Sequence, residues 1–259
     1  MLNPLSNDLA VMRQSLLFSG LESVSYNINR KNNSLQFFEF GKTYHKFEDK
    51  YEEFKHLALF VSGNRTNDSW TGAHKASDFF YVKGVVKSLL ERLGASSLKT
   101  TPTKNDVFSE GISLSLGKIK LADIGIVEKS ILKSFGIKQE VIYVDFNWDN
   151  VLKISSSKGI KVKALSKFQA VRRDLSLLLD SSVTFGDVYN LAFQSERKLL
   201  KEVDLFDVYE GSKLAAGKKS YAVSFLLQDE AKTLNDKQID KIMQKLQATF
   251  EKNLEASLR

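Results

Sequence analysis

Hydrophobic and polar positions alternate along several stretches of the chain, and this pattern predicts β-strands. In the first 160 residues an alternating run occupies 112–116, and apolar stretches, which also predict strands, occupy 35–40, 57–61, 119–127 and 141–146. Between 77 and 94 the apolar positions recur every three or four residues and end at Gly94, which predicts a helix with a glycine at its C-terminus. The links between strands are too short for parallel crossovers. The pattern therefore predicts an α+β domain with a mainly antiparallel sheet.

The rest of the sequence predicts a second, ferredoxin-like domain. The alternating segment 171–180 is apolar on both faces, which predicts a central strand. A capping-box pattern at Thr184 to Asp187 predicts a helix that runs to about Leu200, and the same pattern at 233–236 predicts a second helix with an apolar stripe. Strands are predicted at 203–209, 221–228 and 256–258. The resulting order is βαββαβ, the arrangement of four antiparallel strands and two helices.

The boundary between the two patterns is a small polar cluster at residues 154–159. We therefore predict two domains, residues 1–160 and residues 161–259. A chain of 259 residues is long enough for two domains of ordinary size.

Composition excludes several classes of protein. The sequence has no cysteine, which excludes disulfides, thiolate nucleophiles and cysteine-bound metals, and its three histidines have no metal-ligand spacing. It has no P-loop, nucleophile elbow or zinc-protease motif, so we predict no catalytic residue and no metal site. No apolar run reaches the roughly 18 residues of a membrane span, and the N-terminus lacks the features of an export signal. We expect a cytoplasmic protein with no membrane partner.

Charge makes the second domain a candidate for binding RNA. The net charge is +7, and the face of a ferredoxin-like sheet that its helices leave open is used by RNA-recognition modules to stack bases. The candidate RNA-binding residues are Lys167, Phe168, Arg172, Arg173, Lys213, Lys218, Lys219 and Tyr221. Neighbouring residues of a strand point to opposite faces, so Arg172 and Arg173 cannot both serve one surface, and at least one is expected to be structural.

The charged residues also allow structural interpretations that involve no RNA. An arginine beside Asp174 is compatible with an ordinary ion pair, and two lysines in a hairpin are compatible with a solvated turn. In the first domain we interpret Asp145 and Asp149 as solvated loop charges and His45 as a surface residue at the end of a strand.

Short motifs along the whole chain carry a family resemblance. In the first domain they lie at residues 3–6, 12–17, 26–27, 38–42, 70 and 78–84, and in the second at 168–175, 205–211, 217–220, 233–236 and 258–259. Taken in this order they resemble the beta subunit of bacterial phenylalanyl-tRNA synthetase. The family usually has Pro where this chain has Gln169, and Pro-Gly within residues 18–20, but neither difference touches the supposed chemistry.

The resemblance implies a class II synthetase-like core followed by a ferredoxin-fold anticodon-binding domain that binds phenylalanine tRNA. Catalytic class II domains hold ATP with an Arg-x-Glu pair, and none of the four arginines of the first domain begins one. The first domain is therefore expected to be non-catalytic. In the family the alpha subunit carries ATP, magnesium and the chemistry of phenylalanine-tRNA ligase, within an (αβ)2 heterotetramer. Beta subunits are longer than this chain, so we expect a C-terminal fragment with no cofactor of its own.

Packing on the alpha subunit would leave exposed rings when the chain is alone. Six aromatic residues of the first domain are candidates for this surface: Phe37, Phe38, Phe40, Phe79, Phe80 and Tyr81. Two other classes of function stay open. The ferredoxin-like domain is also compatible with a regulatory module that binds a small molecule, or with a scaffold that does not bind RNA specifically.

Overall fold

The computed structural model describes residues 10–48, 50–66, 70, 75–95, 97–103, 105–157 and 166–259. The chain divides into two compact units, residues 1–161 and residues 162–259. The predicted boundary near residue 160 lies outside the described residues, as does the motif at residues 3–6. No helix of the described residues is long and apolar enough to span a membrane.

Within its described residues, the first unit is a six-stranded antiparallel sheet with four helices. Its elements are α1 (Leu17–Ile28), β1 (Leu35–Phe47), β2 (Lys50–Ser62), α2 (Phe79–Arg92), β3 (Lys99–Pro102), β4 (Phe108–Leu116), β5 (Ile119–Val127), α3 (Lys129–Ser134), β6 (Ile142–Asn147) and α4 (Trp148–Ser157). The strand order is β1-β2-β6-β5-β4-β3. The predicted strands and the antiparallel α+β class are confirmed. The helix predicted between 77 and 94 is α2, and Gly94 follows its C-cap with a φ of 92°.

Helices cover both faces of this sheet. On one face, α2 and α4 pack on a core that includes Leu57, Val144 and Phe146. On the other, α1 packs on Phe60 and Tyr143. Gly20 of α1 allows this approach, because a Cβ at this position would overlap the Phe60 ring.

The prediction of loop charges around the domain boundary is wrong. Asp149 lies in the first turn of α4, where its carboxylate accepts a hydrogen bond from the Lys55 N–H at 2.9 Å. The serines at 155–157 form the end of the same helix. Asp145 lies within β6 and is hydrogen-bonded to His56.

The second unit has the predicted βαββαβ order. Its elements are β7 (Val171–Asp180), α5 (Phe185–Ser195), β8 (Leu200–Tyr209), β9 (Lys218–Leu227), α6 (Asp236–Leu254) and β10 (Ser257–Leu258). The antiparallel strands lie in the order β10-β7-β9-β8, so β7 is an inner strand as predicted. Both helices pack on one face of the sheet, around Leu177, Val223 and Phe225.

Two helix boundaries differ from the prediction. Helix α5 ends at Ser195 rather than near Leu200, because Glu196 is extended and its carboxylate accepts hydrogen bonds from the N–H groups of the next turn. Leu200 is buried and begins β8. The cap of α6 is Asn235 with Gln238, not the predicted Thr233 with Asp236, because only the former pair exchanges both hydrogen bonds of a capping box.

Candidate nucleic-acid interface

The sheet of the second unit has one face that neither α5 nor α6 covers. Because cross-strand partners point to the same side, the pairing identifies this face. In β7 it carries Arg172, Asp174 and Ser176, while Leu177 and Leu179 point to the helices. We call this surface the open face.

A β-bulge in β8 changes which residues reach the open face. The register shifts between Leu205 and Asp207, so Phe206 is an extra residue. After the bulge, Asp207 and Tyr209 point to the open face and Val208 points to the helices. Phe206, which is 52% exposed, also lies on the open face, since its ring contacts Arg172.

Two aromatic rings on the open face each have a guanidinium over them. The Arg172 Cζ lies 5.1 Å from the centre of the Phe206 ring, and its Nε donates to Asp174 Oδ1 at 2.9 Å. The Arg259 Cζ lies 5.2 Å from the centre of the Tyr209 ring. Such geometry is typical of cation–π contacts.

Small side chains form the middle of the open face. Ser176 of β7 lies beside Ser220 of β9, with 3.4 Å between their hydroxyl oxygens, and Ala222 and Ser224 continue this row along β9. The rings of β8 therefore stand at one side of a shallow polar floor. This arrangement can accept flat, partly polar groups such as nucleobases.

Five of the predicted residues are accessible or border the open face. Arg172 is exposed on it, and Lys218 is half-buried on it, opposite Asp180. Lys167 is exposed just before β7, and Lys213 is exposed between β8 and β9. Phe168 is half-buried in the segment before β7, and its carbonyl accepts a hydrogen bond from Gln228 Nε2 at 2.7 Å.

Three predicted residues point to the helix-covered side instead. Arg173 donates to the Arg172 carbonyl at 3.1 Å and lies 3.8 Å from Asp236 at the start of α6. Lys219 is 7% exposed, and its Nζ donates to the Ser181 carbonyl at 2.8 Å. Tyr221 is a core residue. None of the three presents its polar group on the open face, which corrects their predicted grouping with Arg172.

The prediction missed several residues of the open face, among them Asp204, Phe206, Asp207, Tyr209 and Arg259. The available signals were the motifs at residues 205–211 and 258–259, which contributed to the family resemblance. Alternation alone could not place them, because a strict two-residue period through 203–209 puts Asp207 and Tyr209 on the core face.

The first unit has a second polar cluster, a row of carboxylates across its sheet. Glu39, Asp145 and Asp123 all lie on the face that α1 partly covers. Each has a basic partner: Arg13 lies 2.6 Å from Glu39, His56 lies 2.7 Å from Asp145, and Lys120 lies 2.6 Å from Asp123. In the described part of the chain, no group of three or more acidic or histidine side chains could hold a metal ion.

Two further polar groups belong to this face. The Tyr143 hydroxyl is buried without a hydrogen bond of acceptable geometry, and its burial, reinforced by the charge of Asp145, raises the pKa of Tyr143. His45 is half-buried and lies 3.1 Å from the Thr43 hydroxyl, which also contacts His56. His45 is the third residue from the end of β1, and it belongs to a hydrogen-bonded network with Thr43 and His56 of β2 rather than being free at the surface.

Exposed rings occur in the first unit where the sequence analysis expected them. Phe38, Phe40 and Phe80 are 70%, 57% and 78% exposed. The other three candidates are half-buried and pack on the two cores: Phe37, Phe79 and Tyr81.

Comparisons with known proteins match both units. Residues 1–148 match the family model of the phenylalanyl tRNA synthetase beta chain CLM domain, and residues 166–259 match that of the ferredoxin-fold anticodon binding domain. The phenylalanine–tRNA ligase beta subunit of Bacteroides thetaiotaomicron is 49% identical over 100% of this chain and 33% of its own length. The corresponding subunit of Porphyromonas gingivalis is 42% identical, with the same coverage.

This chain thus spans about one third of the curated relatives that it matches. Among solved structures, a pyrrolysyl-tRNA synthetase from Desulfitobacterium hafniense aligns with a TM-score of 0.43 and 15% identity, over 56% of this chain and 50% of that one. That likeness is too low to support an argument. The family matches cover both units in order, and on them the chain belongs to the phenylalanyl-tRNA synthetase beta chain family.

Proposed function

We propose that this chain is the C-terminal part of the beta subunit of phenylalanine-tRNA ligase, and that its second unit binds the anticodon region of phenylalanine tRNA. The observation that carries the proposal is the open face, where Phe206 and Tyr209 stand beside basic side chains on an uncovered sheet. Unpaired anticodon bases offer flat surfaces that stack on such rings. Because tRNA is aminoacylated in the compartment where ribosomes use it, we place this activity in the cytoplasm.

Different groups of the open face would have different roles. Phe206 and Tyr209 would stack on bases, and Arg172 and Lys218 would pair with phosphates, with Lys167 at the border. Asp204 and Asp207 are exposed on the same face, and within the described residues neither forms an ion pair. Their carboxylates can accept hydrogen bonds from base N–H groups. Such contacts can distinguish one base from another, whereas contacts to phosphates cannot.

We propose that the first unit is non-catalytic. ATP needs cationic side chains for its triphosphate, whereas the sheet face beside α1 presents the carboxylates of Glu39, Asp145 and Asp123. Of the arginines in this unit, Arg13 is held by Glu39 and Arg65 by Asp78 at 2.6 Å. Neither of these guanidinium groups is free for a triphosphate, which supports placing ATP and its magnesium in the alpha subunit of an (αβ)2 ligase.

The exposed rings of the first unit support packing against that alpha subunit. Phe38 and Phe40 are neighbours on β1, with ring centres 6.2 Å apart, and Phe40 also contacts Trp148. Apolar surface of this kind is usually buried in a partner. Replacing Phe38 with Asp should reduce co-purification of the alpha subunit, whereas replacing the exposed Lys118 with Asp should not.

The test of RNA binding is a titration of the 259-residue chain with the anticodon stem-loop of phenylalanine tRNA and an anticodon-swapped copy. Specific binding should weaken on the swap and with added salt. The neighbouring Arg172 and Arg173 form a matched pair on opposite faces. Arg172→Ala should lower the slope of log affinity against log salt by about 0.7 to 1, while Arg173→Ala should leave it unchanged.

Two outcomes would contradict the proposal. Equal, weak binding of both stem-loops, with the alpha subunit still co-purifying, would indicate a scaffold. A thermal shift with a small molecule, in the absence of RNA affinity, would indicate a regulatory module.

A further inference from the structure

Arg259 crosses the open face from one edge of the sheet toward the other. Its backbone N–H donates to the Ser176 carbonyl of β7 at 3.0 Å. Its guanidinium nevertheless lies over Tyr209 of β8, the strand at the opposite edge in the order β10-β7-β9-β8. The side chain can take this path because Ser176 and Ser220, the residues between them, are small.

The two arginines of the open face are held differently. The guanidinium of Arg172 is anchored by Asp174. The Arg259 guanidinium forms no ion pair with a carboxylate of the described residues, and it contacts the ring of Tyr209. An exposed cation–π contact is a weak hold. Arg259 is therefore the more easily displaced of the two.

A base that stacks on the Tyr209 face covered by this guanidinium must first displace it. The displaced side chain remains tethered beside the bound nucleotide by the backbone hydrogen bond to Ser176. Its planar fork of donors then suits the phosphate oxygens of that nucleotide.

We infer, on the basis of the proposed function, that Arg259 is a latch: it covers Tyr209 in the free protein and moves to an RNA phosphate when a base takes its place. Arg259 thereby keeps the ring in place before binding and adds a cation to the interface after it. It is a positioning residue in the first state and a phosphate contact in the second.

The first test follows the side-chain Nε–Hε resonance of Arg259 by NMR in the 259-residue chain. In the free protein this resonance should be shifted upfield by the ring current of Tyr209, and Tyr209→Leu should abolish the shift. Saturation with the phenylalanine anticodon stem-loop should also remove the shift in the wild type. A resonance that stays ring-shifted in the complex would overturn the latch.

The second test measures stem-loop affinity against salt for Arg259→Gln. Loss of one phosphate contact should lower the slope by about 0.7, which corresponds to about fivefold weaker binding at 0.1 M salt. The control is Arg197→Gln, which changes an exposed arginine between α5 and β8 and should leave the slope unchanged.

The outcomes separate this inference from the proposed function. Specific binding by the wild type with an unchanged slope in Arg259→Gln would overturn the latch and leave the proposed function in place. Failure of the wild type to distinguish the two stem-loops would overturn both.

Discussion

Gly84 lies in the interior of α2, where glycine is the least favourable residue apart from proline. It is exposed, its φ is not positive, and a Cβ built on it would meet nothing within 4 Å. Gly84→Ala should therefore add no clash and should remove the entropic cost of glycine in a helix. The expected gain is about 0.5 to 1 kcal/mol in the free energy of unfolding of the first unit.

The assay is urea unfolding followed by tryptophan fluorescence. Both tryptophans of the chain, Trp70 and Trp148, belong to the first unit, so the signal reports on that unit. The midpoint should rise with the slope m unchanged. In a thermal scan, 1 kcal/mol corresponds to about 2 to 4 °C for a unit of this size.

Gly63 provides the opposite control in the same unit. Its φ is 80°, and a Cβ would overlap the Asn33 carbonyl, so Gly63→Ala should destabilise the unit by at least about 1 to 2 kcal/mol. A Gly84→Ala variant that is no more stable than the wild type would refute the reasoning. It would mean that glycine stabilises this position of the isolated chain in a way that is unrelated to the space available for a Cβ.

Four further results are expected. Thr184→Ala should destabilise the second unit by about 1 kcal/mol, measured by chemical unfolding, because it removes the N-cap of α5. Hydrogen bonds from the Thr184 side chain and backbone lower the pKa of Asp187, so this carboxylate stabilises the folded state above its ordinary pKa of about 3.9. The stabilisation is lost as pH falls through the lower pKa of the folded state. Unfolding midpoints across this range should therefore depend less on pH in Asp187→Asn than in the wild type. Gly20→Ala should cost about 1 to 3 kcal/mol by overlap with Phe60, and a stable variant in thermal scans would contradict the tight packing of α1. Lys219→Met should leave the salt dependence of stem-loop binding unchanged, since this lysine is buried and bonded to a carbonyl, and a lower slope would show that it reaches RNA after all.

Long, regular patterns were predictable from the sequence. The strand at 171–180 and the apolar stripe of α6 each repeat over at least three periods, so a single exception cannot change the assignment. Helices α1, α3 and α4 were missed. The short helices α3 and α4 offer too few turns for a period to emerge, but α1 was overlooked although its buried residues Leu17, Leu21 and Val24 have helical spacing. In α4, the serines at its end resemble a linker although they complete the last turn.

The candidate site was predictable only in part, for a physical reason. The side chain of a basic residue in a strand can point to either face of the sheet, and the pairing with neighbouring strands decides which face is buried in the core. The adjacency of Arg172 and Arg173 correctly indicated that the two would separate. The long aliphatic stem of a lysine can lie along apolar surface, but nothing local indicated that the ammonium of Lys219 would donate to the Ser181 carbonyl in the turn after β7.

The bulge in β8 has an evolutionary consequence. One inserted residue normally turns every later side chain of a strand to the opposite face of the sheet. Because the bulge leaves Phe206 unpaired, Asp207 and the residues after it keep the faces that they would have in a ladder without Phe206. Deletion of Phe206 should remove the register shift between Leu205 and Asp207 and leave Asp207 and Tyr209 facing outward, while the other shift in β8, between Leu200 and Glu202, would remain. A deletion in the uninterrupted ladder of β9 would instead turn core residues toward solvent. Position 206 is thus a point at which the sheet can gain or lose a ring while its hydrophobic core stays intact.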